Sequence, residues 1–133
     1  MLSSCRCLAR KRIYLMREMT EEKLGINREW LQEVRRIYLS SADRKIAELE
    51  RAISGLEMNP LSHTHERRLR RLLHNLIGSG GSYGFPTVSA AARMMSECLK
   101  IHRDNHIPVE PAVLEDLRTR LNHLREVFNE ARA

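Results

Sequence analysis

The sequence predicts an all-α protein: an up-and-down antiparallel four-helix bundle with an N-terminal helical or flexible extension. Three observations predict it. Apolar residues recur at three- and four-residue steps along most of the chain, and no stretch alternates with the two-residue period of a strand. The 4 prolines, together with Gly25 and Gly84, fall where one helical pattern stops and the next starts. The connections between those patterns are short, so sequence neighbours must be spatial neighbours. The 133 residues amount to about one domain. Their 42% hydrophobic, 30% charged and 5% aromatic content suits a core of Leu, Ile, Met and Ala and argues against a sandwich, a collagen or a disordered chain.

Each element has its own signal. Residues 1–25 read as a basic, solvated arm carrying Arg6, Arg10, Lys11, Arg12 and Arg17, with a nascent helix around Ile13 to Met19 and Gly25 as punctuation. The bundle is expected over residues 26–133. From Asn27 a long pattern runs through Leu31, Val34, Ile37, Tyr38, Ala42, Ile46, Leu49, Ile53 and Leu56, and Ser40-Ser41 marks either a kink or a break in it. Asn59-Pro60 reads as an N-cap followed by a first helical proline. The helix it opens carries Leu61, Leu69, Leu72, Leu73 and Leu76. Pro86 starts the next, about 86–103, with Val88, Ala91, Ala92, Met95, Cys98 and Leu99 on one side. After the loop from His106 to Pro108, Glu110-Pro111 opens the last helix, striped by Leu114, Leu117, Leu121, Leu124 and Phe128.

Charge and cysteines narrow the function classes. The 23 Lys and Arg against 17 Asp and Glu give +6, which suits an acidic protein surface, nucleic acid or an anionic membrane. No apolar run approaches the roughly 18–20 residues of a membrane span, and the arginines near the start interrupt any signal-peptide core. Cys5, Cys7 and Cys98 are odd in number and two sit almost adjacent, unlike a disulfide framework, so a cytoplasmic protein is expected. Cys5-x-Cys7 alone is a weak metal signal, and His63, His65, His102 and His106 lack completing carboxylates or thiolates. No metal and no cofactor is expected.

The segment from Arg67 to Gly84 carries the chemistry. At about 100° per residue, Leu69, Leu72, Leu73 and Leu76 share one side, and His74 falls about 140° from their centre. It is therefore expected in solvent, with Arg67 and Arg71 before it and Gly78 and Gly81 after it on the outer face. A helical glycine is worse than Ala by about 1 kcal/mol, so Gly78, Gly80 and Gly81 need a reason. Either they clear space beside His74 for another protein, or the helix ends near Ser79 and they form a turn. An imidazole with a reference pKa of about 6.5 is a competent phosphoryl acceptor, and Arg67, Arg70 and Arg71 would help hold the group once attached.

The run His74-Asn75-Leu76-Ile77-Gly78-Ser79-Gly80-Gly81-Ser82-Tyr83-Gly84-Phe85-Pro86 resembles the signature of histidine-containing phosphotransfer (HPt) domains, with Gly78, Gly81 and Gly84 following the histidine at the family's spacing. The likeness is specific over about residues 66–99. It implies a four-helix bundle with the phosphoacceptor, here His74, exposed midway along a core helix. It implies a phosphocarrier rather than an enzyme. A receiver-domain aspartate would donate the phosphoryl group, and a second response regulator would receive it. Partners would be receiver domains of response regulators or of hybrid histidine kinases, met by a monomer without nucleic acid or membrane. Arg67, Arg70, Arg71, Ile77, Gly78, Gly81 and Ser82 would line the docking surface. One departure stands out: Ile77 occupies a position where the family commonly has Lys. Arg70 or Arg71 would then supply the positive charge, or the chain would be a weak acceptor. The reading from a different class is a non-catalytic basic helical module that binds an acidic partner or nucleic acid.

Overall fold

The computed structural model describes residues 25–100 and 108–133. Residues 1–24 of the expected arm, with Cys5, Cys7 and the basic run, and His102 and His106 lie outside the described residues, whereas Gly25, expected to close the arm, is the first residue of a helix. Among the described residues there are five helices: α1 (Gly25–Ser40), α2 (Ala42–Met58), α3 (His63–Ser82), α4 (Pro86–Cys98) and α5 (Pro111–Arg132).

The long N-terminal pattern is broken at Ser41. Its hydroxyl donates to the Tyr38 carbonyl at 2.7 Å while its N–H reaches the same oxygen at 3.2 Å. A serine that bonds its own preceding turn competes with the helical ladder, and the helix stops there. Asn59-Pro60 does not start α3, contrary to the sequence expectation. Asn59 closes α2 through its N–H to the Gly55 carbonyl at 3.0 Å, and its side-chain oxygen accepts from the Leu61 N–H at 3.3 Å. An asparagine bonded two residues ahead makes a turn, so the cap passes to Ser62, whose hydroxyl accepts from the His65 N–H. Leu61 consequently stands exposed rather than in the core. Pro86 and Pro111 do open α4 and α5. The third expected helix, about 86–103, ends at Cys98 as α4.

The chain divides into two compact units, Met1–Ile37 and Tyr38–Ala133. In the described part of the first, α1 exposes Trp30 and Ile37. The second holds the four-helix bundle. In it α2 packs on α3 and α5, α3 on α4, and α4 on α5, which closes the ring of neighbours. Leu49, Ala52 and Ile53 of α2, Leu69 and Leu73 of α3, Val88, Ala92 and Met95 of α4, and Leu117, Leu124 and Phe128 of α5 form one buried core. Removing these side chains from water is the main term holding the bundle together.

A ladder of ion pairs joins α2 to α5 across the outside. Asp43 pairs with Arg132, Glu50 with Arg125 and Glu57 with Arg118. Both sets are spaced by seven residues and run in opposite senses, which only an antiparallel pair can satisfy. Arg120, the remaining arginine of α5, pairs with Asp116 at 3.3 Å. Exposed pairs of this kind contribute about 0–1 kcal/mol each, so their main effect is to fix register.

Candidate functional site

The site forms on α3, whose ends are both well tied. At the N-terminus the Ser62 hydroxyl also lies 2.7 Å from Nδ1 of His65, and Glu66 places negative charge in the first turn. At the C-terminus Gly84 adopts φ 83°, a left-handed conformation that glycine takes without strain. The Phe85 N–H then reaches the Gly80 carbonyl at 2.7 Å and the Gly84 N–H reaches Gly81 at 3.3 Å. This pair of bonds is a Schellman closure. The helix thus continues through Ser82, and the alternative of a turn beginning near Ser79 is not what the chain adopts.

His74 is exposed near the middle of α3. Its outer neighbours Arg67, Arg71, Gly78, Gly81 and Ser82 are exposed with it. The glycines then separate into two kinds. A β-carbon on Gly78 or Gly81 would meet nothing within 4 Å. A β-carbon on Gly80 would lie 2.9 Å from the Ser89 nitrogen and 3.2 Å from the Phe85 carbonyl oxygen. Gly80 is therefore a packing residue between α3 and α4, and clearing space beside His74 falls to Gly78 and Gly81 alone. The helical wheel holds the signal: Gly80 lies on the side of Leu69, Leu73 and Leu76.

The cations separate in the same way. Arg70 is half-buried and donates to Glu66 Oε1 at 2.8 Å and to the Leu99 carbonyl at 2.7 Å. It ties α3 to the end of α4, and it would join an outer site only by giving up these bonds. Among the described residues no acid pairs with Arg67, Arg68 or Arg71. All four arginines of α5, by contrast, are paired. Among the described residues, positive charge without an acidic partner thus lies on α3 beside His74, and also at Arg44 and Arg51 of α2 and Arg93 of α4, but not on α5. Ile77 is half-buried and packs against the core, so only part of its side chain faces outward. Among the described residues no group of three His, Cys, Asp or Glu side chains could hold a metal ion.

Three further residues, not singled out from the sequence, complete the surroundings. The Ser89 hydroxyl of α4 donates to the Ile77 carbonyl at 2.8 Å. The Tyr38 hydroxyl lies 2.9 Å from the Ser79 hydroxyl. No spacing rule links residues 12 or 41 positions apart on different helices, so these contacts carry no sequence signal.

The arrangement offers an accessible imidazole, unpaired guanidinium groups one to two turns before it, and bare backbone one to two turns after it. A family model described as the Hpt domain matches residues 33–127, a span that includes this site. No match is found among curated proteins or among solved structures.

Proposed function

The chain belongs to the Hpt domain family, and from that premise we propose that it is a phosphorelay intermediate in which His74 is the phosphoacceptor. Hpt domains carry phosphoryl groups in phosphorelays and are not themselves catalysts. A ring nitrogen of His74 attacks the phosphorus of a receiver phospho-aspartate in line. The N–P bond forms as the P–O bond to aspartate breaks, and the carboxylate leaves on the receiver. Transfer to the aspartate of a second response regulator reverses these steps. The receiver supplies Mg²⁺ and charge stabilisation; this chain supplies a positioned nucleophile.

The observation that supports this most is the exposed His74 beside two glycines that face open space. Bare backbone at Gly78 and Gly81 has no packing reason, whereas a docking partner gives it one. Arg67 and Arg71 attract an acidic receiver surface, and Ile77, Gly78, Gly81 and Ser82 form the contact beside them. A basic helical module without transfer chemistry, binding an acidic partner or nucleic acid, would leave the bare glycines unexplained. We further place an arm at residues 1–25, the phosphotransfer bundle at 26–133, and the protein in the cytoplasm as a monomer. No helix among the described residues is long and apolar enough to cross a membrane.

His74→Gln tests the reading. The variant should keep its helical spectrum and lose acid-labile labelling by a phosphorylated receiver. Undiminished labelling would show that another residue accepts the group.

A further inference from the structure

The last two turns of α3 pose a physical problem. Gly78, Gly80 and Gly81 fall within four residues, and the helix nonetheless continues to Ser82. Glycine loses the most backbone freedom on ordering, so this end of the helix should fray unless something holds it. The outer side offers nothing, because Gly78 and Gly81 face open space. Apart from the Gly84–Phe85 closure at its very end, the holding groups lie on the inner side.

Two side chains from other helices grip the residues on either side of Gly78. Ser89 of α4 donates its hydroxyl hydrogen to the Ile77 carbonyl at 2.8 Å. Tyr38 of α1 meets the Ser79 hydroxyl at 2.9 Å. Tyr38 is itself firmly held: its ring stacks with Tyr83 at 4.7 Å and Phe85 at 5.6 Å, and the Lys45 ammonium lies 3.6 Å over it. Burial raises its phenol above the ordinary value, so the hydroxyl stays protonated. The Ser89 backbone also closes on Gly80, which leaves α4 in direct contact with the weakest part of α3.

We infer that Ser89 and Tyr38 are positioning residues for phosphotransfer: they hold the Gly78–Ser82 turns helical from behind, so that the bare face beside His74 is presented to a receiver already formed. Neither side chain touches the outer face. The inference rests on the reading of His74 as the acceptor. Its energetic content is a population. A frayed end must re-form before docking, and apparent affinity then falls by the fraction of molecules that are competent.

The test uses Ser89→Ala and Tyr38→Phe in the full chain, each of which removes one hydroxyl and keeps the packing. Two donors are compared. One is a receiver domain charged by acetyl phosphate. The other is phosphoramidate, whose P–N bond breaks with release of ammonia as the imidazole nitrogen bonds to phosphorus, and which needs no docking face. Each variant should raise KM for the receiver by up to about fivefold, the limit set by one net hydrogen bond. The kcat and the phosphoramidate rate should stay as in the wild type. Amide exchange should quicken at residues 78–82 and not elsewhere in the bundle. Unchanged KM in both variants, or exchange that quickens throughout the bundle, overturns the positioning role while leaving His74 as acceptor. A wild-type chain labelled by neither donor overturns the acceptor reading and the positioning role with it.

Discussion

The backbone nitrogen of Ser89 stands 2.9 Å from the point a β-carbon on Gly80 would occupy, and nothing stands within 4 Å of the corresponding points on Gly78 and Gly81. Three glycines within four residues therefore answer to different forces, and alanine separates them. Gly80→Ala must push α3 and α4 apart and should lower stability by about 1–3 kcal/mol. Gly78→Ala and Gly81→Ala gain helix propensity without a clash and should raise stability by up to about 1 kcal/mol each. Both should nevertheless slow transfer from a receiver. Thermal melts and receiver labelling of the three variants check this; normal transfer by a stabilised Gly78→Ala protein would remove the docking role of the bare face.

Arg67 and Arg71 are exposed and have no acidic partner among the described residues. Reversing both to Glu should change stability by no more than about 0.5 kcal/mol. Association with a receiver should slow about tenfold at low salt, and the difference should shrink as salt screens the charges. Stopped-flow association rates at several ionic strengths measure it. A deficit that persists undiminished at high salt would mean that these side chains act by shape rather than charge.

Gly55 of α2 faces the ring of His65 so closely that a β-carbon would overlap the imidazole. Gly55→Ala should destabilise the bundle by about 1–3 kcal/mol even though alanine is the better helix former. In the background of His65→Ala most of that loss should disappear, because the obstructing ring is gone. Equal losses in both backgrounds, read from denaturant midpoints, would rule out the ring as the cause.

Cys98 donates its thiol hydrogen to Asp116 Oδ2 at 3.0 Å. Burial first, and then that bond and the negative charge, push the thiol up to about 11. Asp116 is lowered in turn, by its bonds to Cys98 and Arg120. The folded thiol thus holds its proton more tightly than a free one. Its contribution to stability is present below the ordinary thiol pKa and is lost as pH rises through about 11. With Cys5 and Cys7 replaced by serine, iodoacetamide at pH 8 should modify Cys98 on the order of a hundredfold more slowly than a free cysteine. Asp116→Asn should speed the reaction, and a rate equal to that of free cysteine in the parent would contradict the bond.

Much of the fold was legible because the helices are amphipathic and their ends carry ordinary signals. The stripe Leu114, Leu117, Leu121, Leu124 and Phe128 reads directly as the buried side of α5, and Pro86 and Pro111 mark true starts. Asn59-Pro60 misled because asparagine has two local uses, cap and turn, and only the presence of Ser62 three residues on decides between them. The exposed setting of His74 followed from the wheel alone. The separate duty of Gly80 was latent in the same wheel but was masked by reading the glycines as one group. The pairing of Arg70 with Glu66 follows from their four-residue spacing, but its tie to α4 could not be placed from sequence, since that acceptor is a backbone oxygen 29 residues away. The α2–α5 ladder was available in principle, as two matching seven-residue progressions of opposite charge.

The division of labour among the glycines and arginines has an evolutionary consequence. Arg67, Arg71, Gly78 and Gly81 carry no packing or ion pairing within the described structure, and under the proposed function they bear on recognition. Gly80, Arg70 and the α5 arginines carry the internal contacts. Changes at the first set can redirect partner choice without compensating changes in the core. A duplicated copy of this chain could therefore diverge toward a new receiver by surface substitutions alone, insulating two signalling routes while both copies keep the same scaffold.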